Sequence, residues 1–85
     1  MNKKKLVMYS KDQCHLCKKA KEAVQPLLEE FDLIFEEIDI YQDDELIERY
    51  SLMIPVVEYE GEMLLYGQVT KDSLRKRLLK QMPID

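Results

Sequence analysis

Short apolar runs alternate with longer amphipathic stretches along this chain, and the alternation predicts seven elements. Lys5-Leu6-Val7-Met8-Tyr9 is a continuous run of strand length and fits a strand covered on both faces. Ser10 to Gln13 is polar and reads as a loop. From Cys14 onward Leu16, Ala20, Val24, Leu27 and Phe31 recur at three- and four-residue steps, with Ala23 and Leu28 beside them. One face of a helix is therefore apolar, while Lys18, Lys19, Lys21, Glu22, Glu29 and Glu30 occupy much of the remainder. Pro26 falls inside this pattern; lacking an N–H, it predicts a kink or a split into two helices. Leu33 to Ile40 is a second strand, with Ile34, Ile38 and Ile40 on one parity and Phe35, Glu37 and Asp39 on the other.

Asp43 and Asp44 offer N-cap oxygens to a short helix carrying Leu46, Ile47 and Tyr50. Pro55-Val56-Val57-Glu58-Tyr59 and Met63-Leu64-Leu65-Tyr66 read as two strands of a hairpin turning at Glu60-Gly61, where glycine supplies a positive φ. Thr70 caps a last helix with Leu74, Leu78 and Met82 inward, Lys71, Arg75, Arg77 and Lys80 outward, and Pro83 at its end. The order is β-α-β-α-β-β-α. A helix between the first two strands makes them parallel through a right-handed crossover, and the hairpin is antiparallel. The expectation is an α/β fold: one mixed four-stranded sheet flanked by three helices, a single domain over residues 1–85.

Composition narrows what such a domain does. Apolar residues make up 46% of the chain and charged ones 35%, a balance that supports a packed core rather than disorder. A net charge of −4 gives no overall field for nucleic acid or anionic membrane, and Lys3-Lys4-Lys5 reads as a solvated flank. No apolar stretch approaches the ~18 residues needed to cross a membrane. Leu6 to Tyr9 is too short for a signal-peptide core, so the expected compartment is the cytoplasm. Thiols are kept reduced there, which argues against a structural disulfide.

That context bears on Cys14 and Cys17, the only cysteines, spaced Cys-x-x-Cys. A sulfur at the start of a helix faces unpaired N–H groups and the positive end of the helix dipole, which favour thiolate. Cys14 is then the candidate nucleophile. Cys17, nearly one turn on, can return to the same face as a more buried resolving thiol. Lys11 and His15 are the nearby groups able to carry positive charge; His15 reads either as a thiolate-stabilising group or as a solvent-facing first-turn residue. Two other readings stay open at this point. The pair could be buried and inert, or it could supply two ligands of a zinc or iron–sulfur site, although no further Cys or His exists in the chain to complete one.

Tyr9-Ser10-Lys11-Asp12-Gln13-Cys14-His15-Leu16-Cys17 resembles the active-site segment of glutaredoxins and glutaredoxin-like proteins, with the lysine three positions before the first cysteine. Met53-Ile54-Pro55-Val56 resembles their cis-proline segment, and the likeness in element order spans essentially the whole chain. The resemblance implies a thioredoxin-like fold of glutaredoxin type and a thiol–disulfide oxidoreductase acting on protein or low-molecular-weight disulfides through Cys14 and Cys17. It implies that Pro55 is cis and faces the cysteine pair, that the Ile54 backbone pairs with an extended substrate, and that Lys11 meets a substrate carboxylate or the thiolate. Gly67 falls where the family places a Gly-Gly pair, either for close approach of a ligand or to relax the strand end. Cys-His-Leu-Cys replaces the usual Cys-Pro-Tyr-Cys, so these residues do not by themselves specify glutathione. The expected partners are a disulfide substrate and a thiol reductant or reductase, with no nucleic acid and no membrane, acting on a monomer. No cofactor and no metal are expected, a thiol such as glutathione serving as co-substrate. The alternative is a non-catalytic module that binds a metal or cluster, or senses redox state, through the same cysteines.

Overall fold

In a computed structural model describing residues 3–82, the strands β1 (Lys4–Ser10), β2 (Leu33–Asp39), β3 (Val56–Tyr59) and β4 (Glu62–Tyr66) form one sheet in the order β2-β1-β3-β4. β1 pairs parallel with β2 and antiparallel with β3, and β3 pairs antiparallel with β4. The helices α1 (His15–Glu30), α2 (Asp44–Tyr50) and α3 (Lys71–Gln81) complete the expected order. Pro83 lies outside the described residues.

Side chains alternate across each strand, so the central strand β1 serves two cores. Leu6 and Met8 are fully buried against Ala20, Val24 and Leu27 of α1 and Leu74 and Leu78 of α3. Tyr9 turns the other way and packs with Ile40, Tyr50 and Val56, beneath α2. The first face is closed, whereas Val7 and Tyr9 on the second are only half-buried, short of the two-sided coverage the apolar run predicts. The cause is the size of the cover: α2 has seven residues and cannot span the sheet.

Two further departures concern α1. Leu16 is 38% exposed, and Cys17 takes the place expected of it on the buried stripe with Ala20, Val24 and Leu27. At about 100° per residue, positions 17, 20, 24 and 27 share one face and position 16 falls beside it. The helix also runs unbroken through Pro26. The missing N–H forfeits one backbone bond, but Val24 and Leu27 on either side are fully buried, and burial of side chains of that size stabilises by about 1.5–3 kcal/mol each.

Local chemistry fixes the other boundaries. The second strand stops at Asp39, whose carboxylate accepts from the Tyr41 N–H at 2.9 Å, and Ile40–Gln42 becomes a 3-10 turn. Asp43 caps α2 by accepting from the Glu45 N–H. In the hairpin both Glu60 (φ 48°) and Gly61 (φ 87°) are left-handed, as a two-residue turn requires. Glu60 offsets its strain by accepting from the Lys5 N–H at 2.9 Å.

Candidate active site

The topology carries the notable residues to one end of the sheet. β1 ends at Ser10, opposite Asp39 of β2, and Tyr9 lies opposite Val56 of β3. The Ile54–Pro55 segment therefore enters β3 where β1 leaves for the cysteines. β4 ends at Tyr66, also opposite Val56, so Gly67 leaves at the same end.

Cys14 is itself the N-cap of α1. Its backbone is extended (φ −107°, ψ 108°) and its Sγ accepts the Cys17 N–H at 3.1 Å. No acidic residue stands in the first turn, so the sulfur alone occupies the position where a negative charge would be stabilised by the helix dipole. Cys14 and Cys17 are joined as a disulfide with Cα atoms 5.1 Å apart. Cys14 is half-buried and Cys17 is 4% exposed. Cys14 is thus the more accessible sulfur of the two.

A shallow depression beside the pair is lined by Lys11, Asp12, Gln13, both cysteines, Lys18, Lys21 and Glu37. Lys21 and Glu37 form an ion pair at 3.0 Å, and the buried Ser10 hydroxyl donates to the other Glu37 oxygen at 2.8 Å. Burial pushes the Glu37 carboxyl up, but the bonds from Lys21 and Ser10 and the lysine's charge outweigh it and hold the group below its ordinary value. On the other side of the first turn, Leu16, Lys19, Gln68, Val69 and Thr70 line a second depression.

Of the residues expected at the site, Lys11, Cys14 and Cys17 share one depression. His15 is exposed in the first turn, and Ile54, Pro55 and Gly67 lie at the same end of the sheet outside that lining. The Ile54–Pro55 peptide is cis, and Pro55 is buried. The Ile54 N–H donates to the Tyr50 carbonyl at 3.1 Å, so of its backbone groups the N–H is already engaged within the chain. Gly67 has φ 77° and nothing within 4 Å of where a Cβ would sit, so conformation rather than crowding calls for glycine. Its N–H is shared between the Met53 and Pro55 carbonyls at 3.0 and 2.9 Å, fastening the end of β4 to the proline segment. Beneath that segment Tyr9 and Tyr50 stack at 4.6 Å and donate to Glu58 at 3.4 and 2.8 Å. The reduced pair offers two thiolates to a metal. Among the described residues no three His, Cys, Asp or Glu side chains converge, so a bound metal would draw further ligands from outside them.

The family model of the glutaredoxin-like domain (DUF836) matches residues 5–79. The chain belongs to this glutaredoxin-like family. Among solved structures it is similar to protein XcR50 from X. campestris, at 30% identity over 92% of this chain and 99% of that one, with a TM-score of 0.74. Protein Ne2328 from Nitrosomonas europaea follows at 25% identity, 89% and 92% coverage and a TM-score of 0.72. The germline-specific thioredoxin Deadhead from Drosophila melanogaster shares the fold at 21% identity, covering 94% and 82%, with a TM-score of 0.66. The glutaredoxin-like domain is thus a thioredoxin fold carrying a Cys-x-x-Cys pair in bonding geometry, which is a redox-related arrangement. No helix among the described residues is long and apolar enough to cross a membrane.

Reading the sequence missed Ser10, Lys18, Lys21 and Glu37 as parts of this site. Lys18 and Lys21 were within reach: positions 14, 17, 18 and 21 form a single helical ridge. Ser10 and Glu37 carried no local signal, since they meet only across the β1–β2 pairing.

Proposed function

We propose that this domain is a thiol–disulfide oxidoreductase in which Cys14 attacks and Cys17 resolves. The observation that carries the reading is the cap: the accessible sulfur takes a helix N–H and the dipole's positive end, while its partner is buried and already within bonding reach. In the reduced protein Cys14 acts as thiolate and attacks one sulfur of a substrate disulfide. The first substrate thiol leaves as thiolate and takes up a proton, and a Cys14–substrate mixed disulfide remains. Cys17 loses its proton and attacks Cys14 Sγ. The second substrate thiol departs, so two electrons pass to the substrate and the Cys14–Cys17 disulfide is formed. A dithiol, or two equivalents of a thiol such as glutathione, returns the pair to the reduced state.

Lys11 and His15 support the thiolate or a substrate carboxylate by their position around Cys14, and the cytoplasm supplies the reducing thiols. The domain acts as a monomer on a disulfide substrate, and its chemistry requires no cofactor or metal.

Thiol trapping across a graded redox buffer tests this. The pair is expected to titrate reversibly as a two-electron couple between about −300 and −120 mV, the span of known dithiol oxidoreductases. Cys14→Ser abolishes disulfide reduction, and Cys17→Ser accumulates the mixed disulfide. A pair that never oxidises reversibly in that range would falsify the reading.

A further inference from the structure

We propose that the disulfide reduced at this site belongs to a protein segment with acidic residues flanking its cysteine, selected by lysines on both sides of the Cys14–Cys17 pair. This names a substrate class and rests on the oxidoreductase reading above.

The chain as a whole is acidic, at −4, but its charge is unevenly spread. Residues 11–21 hold four lysines (Lys11, Lys18, Lys19, Lys21) against Asp12 alone, a local +3, which leaves −7 for the rest of the chain. Around the disulfide itself the lining has Lys11, Lys18 and Lys21 against Asp12 and Glu37, with Lys19 close by, so a partner meets a small excess of positive charge on a chain that is acidic elsewhere. Lys21 is neutralised by Glu37. Among the described residues Lys11, Lys18 and Lys19 enter no ion pair, and all three are exposed.

Their placement favours an extended peptide over a small thiol. Lys11 and Lys18 line the depression that holds both cysteines, and Lys19 lines the one on the far side of the first turn, with Leu16 and Gln68. Lys18 and Lys19 are neighbours on α1, so an extended occupant can meet both sets, and the 38%-exposed Leu16 offers it an apolar contact. Residues one or two positions from a substrate cysteine lie roughly 3–7 Å away along an extended chain. That is inside the Debye length of about 10 Å at 0.1 M salt, so their charges are felt by the lysines. Electrostatic steering raises association rates by about 10–1,000-fold, and a small excess of positive charge belongs at the low end.

The test uses the full chain and three disulfide-linked reporter peptides that are identical except for the residues flanking the cysteine, which are aspartate, serine or lysine. Their kcat/KM values are measured at about 20 mM and about 500 mM salt, since screening should separate steering from contact. At low salt the aspartate peptide is expected to exceed the lysine peptide about tenfold, and at high salt the ratio should fall to within about twofold. The double variant Lys18→Glu, Lys19→Glu reverses the order; because the comparison is a ratio within each protein, a general loss of activity does not mimic it. Equal rates for all three peptides at low salt overturn the proposal and leave the oxidoreductase reading standing. A preference that survives high salt, or one unchanged in the double variant, also overturns it. No reduction of any peptide overturns the oxidoreductase reading and this one with it.

Discussion

Replacing Glu37 by glutamine removes one negative charge beside the cysteine pair while keeping the side chain's shape and one carbonyl acceptor. The wild-type carboxylate receives the Lys21 ammonium at 3.0 Å and the Ser10 hydroxyl at 2.8 Å. The ion pair is half in water, with side chains 52% and 34% exposed, so it contributes roughly 0.5 kcal/mol. Ser10 is buried, and its bond to a charged acceptor contributes about 1.5 kcal/mol, of which a neutral amide keeps about half. The loss at pH 7 is therefore about 1 kcal/mol, or roughly 4–8 °C in Tm for a domain this small. The Glu37 carboxyl is held below its ordinary value, so its contribution is present above about pH 4.5 and is lost as pH falls through the folded-state value. Urea titrations of the oxidised proteins should then show a gap at pH 7 that narrows as pH falls below about 4.5. A second readout is independent of stability. Glutamine frees Lys21 beside the sulfurs, favouring the reduced, thiolate form, and the potential of the pair should rise by about 10–20 mV, which corresponds to ~0.5–1 kcal/mol. A gap that persists unchanged at acid pH would mean that glutamine simply packs badly, and a fall in potential would refute the assignment of Lys21's charge to the cysteine site.

Burial, and then the neighbouring Glu58, hold the Tyr9 and Tyr50 phenols above their ordinary value. The stability they lend is present below about pH 10 and lost as pH rises through the folded-state values, so the urea midpoint should drop as pH climbs past about 10, and drop less in Glu58→Gln. Leu27 is fully buried between the sheet and the helices, and Leu27→Ala should cost about 2.5–4 kcal/mol by urea denaturation. Thr70 and Ser73 form a capping box, with the Ser73 N–H to Thr70 Oγ1 at 3.1 Å and the Thr70 N–H to Ser73 Oγ at 3.2 Å. Thr70→Ala should cost about 1 kcal/mol and speed amide exchange in the first turn of α3.

The elements were legible because their periods differ: the runs at 5–9, 33–40, 55–59 and 63–66 are too short for helices, and 16–31 repeats at helical steps. The Glu60-Gly61 turn and the Thr70 cap were legible for local reasons, since φ sign and side-chain oxygens act within a few residues. Three features were not. The period alone could not choose between Leu16 and Cys17 as the first buried position, because they sit about 100° apart and only the orientation of α1 on the sheet decides. The continuity of α1 through Pro26 depends on burial elsewhere along the helix outweighing one lost bond. The Ser10–Glu37–Lys21 contact joins three elements whose adjacency exists only after β2 has crossed back beside β1.

The sequence placed Cys14 at the start of a helix, but did not identify it as the cap, and that distinction changes the chemistry. A cap position is usually filled by Ser, Thr, Asp or Asn, whose oxygen accepts an N–H in every state of the protein. A sulfur in that place is a weak acceptor while it is bound in a disulfide and a charged acceptor once it is a thiolate. The Cys17 N–H at 3.1 Å therefore gains strength on reduction, by something on the order of 1 kcal/mol if the neutral and charge-assisted bonds differ as they do elsewhere. The same hydrogen bond that starts α1 thus biases the pair toward its reduced form. That amount is under one pKa unit, so in the proposed reaction the cap and the positive groups around Cys14 act together on the thiolate.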